Sequence, residues 1–81
     1  MIKKYNNKKN IAGTFLKNSR ESNKMTKAEL CKRLEIEGVY INRAELLLME
    51  KNQLMIKDFE LVAISKILDI DLNNLKDYLE D

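Results

Sequence analysis

Apolar residues recur along this chain at helical spacing. From about Ile11 to Ser22, Ala12, Phe15, Leu16 and Ser19 fall at i, i+3, i+4 and i+7, with Lys17, Asn18 and Glu21 on the rest of the wheel, which predicts an amphipathic first helix. In a second, about Lys27 to Glu35, Leu30, Cys31 and Leu34 face a core while Lys27, Lys32 and Arg33 face water. A third is expected from about Arg43 to Lys51, with Leu46, Met49 and Glu50 on one side and Ala44, Leu47, Leu48 and Lys51 on the other. Asp58 to Leu68 reads as a fourth helix that buries Leu61, Ile64 and Leu68, with Phe59 beside them. A fifth, about Leu72 to Glu80, opens with Asp71 as N-cap and buries Leu72, Leu75 and Leu79.

Two of these helices carry explicit start signals. Thr26 with Glu29, and Asn42 with Glu45, fit the capping box, in which a side-chain oxygen and a carboxylate satisfy backbone N–H groups reciprocally. Gly38 is suited to the left-handed residue that ends the second helix, and the connection Ile36 to Ile41 is long for a helix-turn-helix. A pair of capped helices over Thr26 to Asn52 is either a DNA-reading helix-turn-helix or two packed helices of a small bundle. Glu50 falls beside the core, where a carboxylate needs a partner, and Arg20 near the end of the first helix is the group placed to supply it.

Composition narrows the picture. At 81 residues the chain is expected to be one domain, and with no proline, two glycines and 44% apolar residues it reads as all-α. It has one cysteine, no histidine and no long apolar run, which is what a soluble, cytoplasmic protein in a reducing compartment would show. Cys31 reads as a small buried residue at a helix crossing. Asp69, Asp71 and Asp77 read as caps and solvated charges, so no metal, cofactor or catalytic role is expected. Charge is uneven: residues 1–33 hold ten Lys/Arg and two acids, a net of +8, whereas residues 34–81 hold five Lys/Arg and eleven acids, a net of −6. A basic half is the footprint of a polyanion-binding face or of a merely solvated edge. Residues 1–10, with Lys3, Lys4, Lys8 and Lys9 among asparagines, are expected to be a basic flexible arm, lying along phosphates or without a role; residues 11–81 would form the folded domain.

The segments LKNSR, MTKAELCKRL, INRAELLLMEKNQ and FELVAISKILDIDLNNL, taken together, resemble the Xre-type helix-turn-helix domain of phage-repressor-like transcriptional regulators over about Ile11 to Leu79. The resemblance implies five helices, with a lengthened, glycine-containing turn before the third. It implies a sequence-specific double-stranded DNA-binding regulator, a repressor and homodimer, whose helix 43–51 enters the major groove. Base-facing positions would then be Arg43, Ala44, Leu47 and Leu48. Phosphate contacts would come from Lys27 and the backbone N–H groups at its helix start, and from Lys32, Asn42, Lys51 and Gln53. Arg20 and Glu50 match the family's buried ion pair, and dimerisation would bury some of Ile67, Ile70, Tyr78 and Leu79.

Two departures stand out. Asn52 replaces the family's usual glycine, which is tolerable because Asn visits the left-handed region. Ala44, Leu47 and Leu48 replace the usual hydrogen-bonding residues; they can touch a thymine methyl, leaving Arg43 as the group suited to guanine. The same fold could therefore serve as a protein-interaction module, antirepressor or antitoxin-like, with Leu47 and Leu48 buried in a protein partner. A third reading has the long loop, with Val39 and Tyr40, folding over the two leucines. No membrane partner is expected.

Overall fold

The computed structural model describes residues 4–79. Helices α1 (Gly13–Ser22), α2 (Lys27–Ile36), α3 (Arg43–Glu50) and α4 (Asp58–Leu68) follow one another, and a 3₁₀ helix spans Leu72–Tyr78. There is no strand among the described residues beyond a single bridge between Tyr5 and Lys8. The chain is thus all-helical, as its apolar spacing predicts. Leu16, Leu30, Leu34, Leu46, Met49 and Ile64 are almost wholly buried and come from all four α-helices. α1 and α2 each pack against both α3 and α4, so the last two are held by the first two rather than by each other.

Helix starts follow the sequence signals. Thr26 Oγ1 accepts the Glu29 N–H at 3.1 Å and Asn42 Oδ1 accepts the Glu45 N–H at 2.8 Å, with the glutamates returning the bond in both capping boxes. α4 has only the second half of such a box: the largely buried Glu60 accepts the Lys57 N–H at 2.8 Å, since a lysine has no acceptor to offer in return.

All four α-helices end in the same way. Lys24, Gly38, Asn52 and Asp69 take positive φ of 54°, 82°, 62° and 54°. The next residue's N–H then reaches a carbonyl five positions back: Met25 to Arg20, Val39 to Leu34, Gln53 to Leu48 and Ile70 to Ser65. Only one of these left-handed positions is glycine. An L-residue there costs about 1–2 kcal/mol, against about 0.5–1 kcal/mol for the extra unfolded freedom of glycine. Exposed Lys24→Gly is therefore expected to stabilise by about 0.5–1 kcal/mol, read as a higher urea midpoint at unchanged slope. A lower midpoint would mean that the lysine side chain contributes more than its backbone strain removes.

Several expectations need correction. The last helix is 3₁₀, not α, so with three residues per turn Leu72, Leu75 and Tyr78 share its inner side, and Leu79 is left 57% exposed rather than buried. Tyr78 packs on Phe15 of the same chain, ring centroids 5.6 Å apart. Phe59 is 55% exposed because Ile64, five positions on, lies about 140° away round α4. Cys31 is half-buried rather than buried.

The basic arm is not free at its C-terminal end. Asn6 and Asn7 both take positive φ and close a two-residue turn between Tyr5 and Lys8. Lys9 N–H then bonds Asn52 O at 2.9 Å, and Asn10 Nδ2 bonds Met49 O and Leu54 O at 3.0 and 2.7 Å. Lys3 lies outside the described residues.

Candidate nucleic-acid interface

α3 is fixed along its inner side and at its C-terminal end before its outer face is considered. Leu46 and Met49 anchor it in the core, and Glu50 receives Arg20 in a two-pronged ion pair, Nε to Oε2 at 2.8 Å and Nη2 to Oε1 at 3.1 Å. The third guanidinium nitrogen, Nη1, donates to Met25 O at 2.7 Å. Hydrogen bonding to Glu50 raises the Arg20 pKa despite an opposing burial effect, so the guanidinium stays charged. At the other end of the contact, Asn52 Nδ2 donates to Asn10 O and Oδ1, both at 3.1 Å, and Thr14 Oγ1 donates to Asn52 Oδ1 at 3.1 Å. Asn52 therefore does more than tolerate a left-handed backbone: its amide ties the arm and the start of α1 to the end of α3.

With Leu46, Met49 and Glu50 committed inward, Arg43, Ala44, Leu47, Leu48 and Lys51 all face solvent. Leu47 and Leu48 are each 39% exposed, so the chain's own loop does not cover them. In that loop Val39 packs on the core and Ile41 is buried, which turns Tyr40 outward at 75% exposure. The lengthened turn is thus pinned by two apolar residues and presents a tyrosine beside the start of α3.

Two open clefts flank α3. One is lined by Arg20, Glu21, Thr26, Lys27, Ala28, Arg43 and Leu47, which brings the start of α2 next to two of the expected reading residues. The other is lined by residues including Cys31, Lys32, Tyr40, Asn42, Arg43 and Glu45. Lys27 and Lys32 therefore border α3 on α2, whereas Lys51 and Gln53 lie exposed beyond its far end, where Lys9 is docked. Burial pushes the Cys31 thiol up, more than nearby Arg43 pulls it down, so the thiol resists ionisation and is a poor nucleophile.

The anion-binding capacity at the start of α2 is smaller than expected from the helix alone. Thr26 N–H is taken by Glu29 and Glu29 N–H by Thr26, leaving those of Lys27 and Ala28 without an intrahelical acceptor. Asn42 is similarly engaged: its Oδ1 caps α3, and only its amide N–H groups remain for a phosphate.

The asparagine clasp, Gly13 and Tyr40 were not read from the sequence as parts of this surface. Asn10 stands three positions before Gly13 and accepts its N–H at 2.7 Å, a cap spacing that the sequence contains. Among the described residues, no group of three or more His, Cys, Asp or Glu is arranged to hold a metal ion, and no helix is long and apolar enough to cross a membrane. The chain matches no family model, no curated protein and no solved structure.

Proposed function

We propose that the chain is a DNA-binding transcriptional regulator of the phage-repressor-like, Xre helix-turn-helix type, acting as a repressor with α3 in the major groove. The observation that carries this reading is the juxtaposition of the solvent-facing side of α3 with the start of α2, Arg43 and Leu47 sharing a cleft with Thr26 and Lys27. Arg43 suits guanine O6 and N7, while Ala44, Leu47 and Leu48 suit thymine methyl groups. Lys27, Lys32, Lys51, Asn42 and Gln53 hold phosphates around them, and the docked end of the arm adds Lys9. Arg20 and Glu50 set the angle at which α3 is presented.

Titration of the protein with a labelled random duplex at about 50 and about 200 mM salt tests this reading. Four phosphate contacts give a log–log slope of about −3.6, or about a 150-fold loss of affinity across that range. Arg43→Ala is expected to cost about 1–3 kcal/mol at selected sites while changing random-duplex affinity little. Equal losses on both would make Arg43 a phosphate contact.

The exposure of Leu47 and Leu48 supports a second reading, in which the same face buries both leucines in a protein partner as an antirepressor or antitoxin-like module does. Absence of salt-dependent duplex binding at micromolar protein favours that reading over the first.

A further inference from the structure

We infer that the outward face of α4 is a self-association surface, covered by α4 of a second copy of this chain that runs antiparallel across a two-fold axis at Val62. This surface is separate from the outer side of α3 and does not depend on what α3 binds. α4 turns Glu60, Ile64 and Leu68 inward. Asp58, Phe59, Val62 and Lys66 are all exposed and, at 3.6 residues per turn, share an arc of about 100° on the opposite side. Phe59 is 55% and Val62 58% exposed, and Met55, three residues before the helix, is 48% exposed. Large apolar side chains grouped in this way mark a surface that is covered in the working state.

The charges on the stripe select its occupant. Asp58 and Lys66 stand four residues before and four residues after Val62. In an antiparallel pair centred on Val62, each Asp58 comes level with Lys66 of the other copy, about 6 Å along the helix from the axis. A parallel pair would set Asp58 against Asp58 and Lys66 against Lys66. The pattern is self-complementary in the antiparallel sense only, as an isologous contact requires, and the opposed helix dipoles add to it. Lys66 is already steered by Glu37, whose carboxylate it meets at 2.8 Å, with the lysine still largely exposed.

A neighbouring feature fits the same arrangement. A groove between α2 and α4 is lined by Arg33, Ile36, Glu37, Lys66 and Ile67, and its Ile36 is among the most exposed apolar residues. Phe59 lies on the side of the stripe nearer this groove. A two-fold axis across the helices keeps it on that side and moves it to the level of Ser65, so Phe59 of the second copy arrives over Ile36 and Ile67. The aromatic ring and Val62 supply the affinity, and the charge pairs fix register and direction.

Sedimentation equilibrium of the full chain from about 1 µM to about 1 mM is expected to show a monomer–dimer equilibrium. Val62→Lys, which sets two lysines on the axis, is expected to weaken it by about 100-fold or more while leaving the circular dichroism spectrum unchanged, since Val62 is outside the core. In a Cys31→Ser background, Val62→Cys is expected to form an inter-chain disulfide under mild copper-phenanthroline oxidation, whereas exposed Leu79→Cys is not. A wild-type chain that stays monomeric throughout, or a dimer that survives Val62→Lys, overturns the assignment. Cross-linking through Leu79→Cys with none through Val62→Cys moves the contact to the end of the chain and does the same.

Discussion

Glu50→Ala is expected to lower the free energy of unfolding by about 3–5 kcal/mol, the largest loss for any polar truncation in the molecule. The carboxylate has a side-chain exposure of 2% and its partner, Arg20, of 7%, so both charges are outside the reach of water. Removing Glu50 strips Arg20 Nε and Nη2 of their acceptors and leaves only the Met25 carbonyl on Nη1. Deprotonation offers no escape, because a guanidinium does not titrate in the accessible range. Urea unfolding followed by circular dichroism measures the loss. Arg20→Met combined with Glu50→Leu removes both charges and is expected to recover most of it, since replacing a whole buried pair by apolar side chains is often neutral or stabilising. A single mutant within about 1 kcal/mol of wild type means that water reaches the guanidinium.

The pair also matters for α3. Glu50 is the last residue of that helix, and Arg20 lies on the last turn of α1, so the bond spans 30 residues and ties the outer face of α3 to the rest of the core. If α3 reads DNA, the double variant should retain stability yet bind more weakly, because apolar packing holds position less sharply than two directed hydrogen bonds.

Local signals were readable in the sequence to the extent that one residue's chemistry decides them. Capping boxes at Thr26 and Asn42 need only two side chains at a fixed spacing, and both form as written. The Arg20–Glu50 pair was legible because a carboxylate on the same helix side as Leu46 and Met49 has to be neutralised by something. What escaped notice depends on distant pieces of backbone. Nothing around Asn10 announces that it will meet residues 39 and 44 positions away at Met49 and Leu54. The 3₁₀ end of the chain is not legible in the pattern, because Leu72, Leu75 and Leu79 satisfy the α period while Leu72, Leu75 and Tyr78 satisfy a period of three, and a seven-residue segment cannot distinguish them. Phe59 shows the limit of treating apolar as buried: on α4 it belongs to the outer side with Val62, and both are more than half exposed.

Gly13→Ala is expected to destabilise by about 2–3 kcal/mol, although alanine is the better helix former by about 1 kcal/mol. The opposing term is steric. A Cβ at Gly13 would overlap Met49 O and come within 2.9 Å of Asn52 Nδ2 and 3.1 Å of the Glu50 carbonyl carbon. Two of these atoms are backbone at the end of α3, and the third belongs to the amide that clasps Asn10, so no flexible tip can move aside. Relief requires α1 to retreat from α3 as a body, which stretches the Asn10 bonds to Gly13 N–H and Met49 O and, two turns further along α1, the Arg20–Glu50 pair. The other glycine provides the contrast: nothing lies within 4 Å of a Cβ at Gly38, whose constraint is its φ of 82°, so Gly38→Ala carries only left-handed strain, a net loss of about 0.5–1 kcal/mol once the reduced freedom of the unfolded chain is set against it. Amide hydrogen exchange separates the two. Gly13→Ala should accelerate exchange at Lys9 and Gly13, whose N–H groups bond Asn52 and Asn10, while Gly38→Ala should leave both protected. A Gly13→Ala protein as stable as wild type, with Lys9 still protected, means that helix propensity has outweighed the contact and that α1 and α3 do not approach this closely.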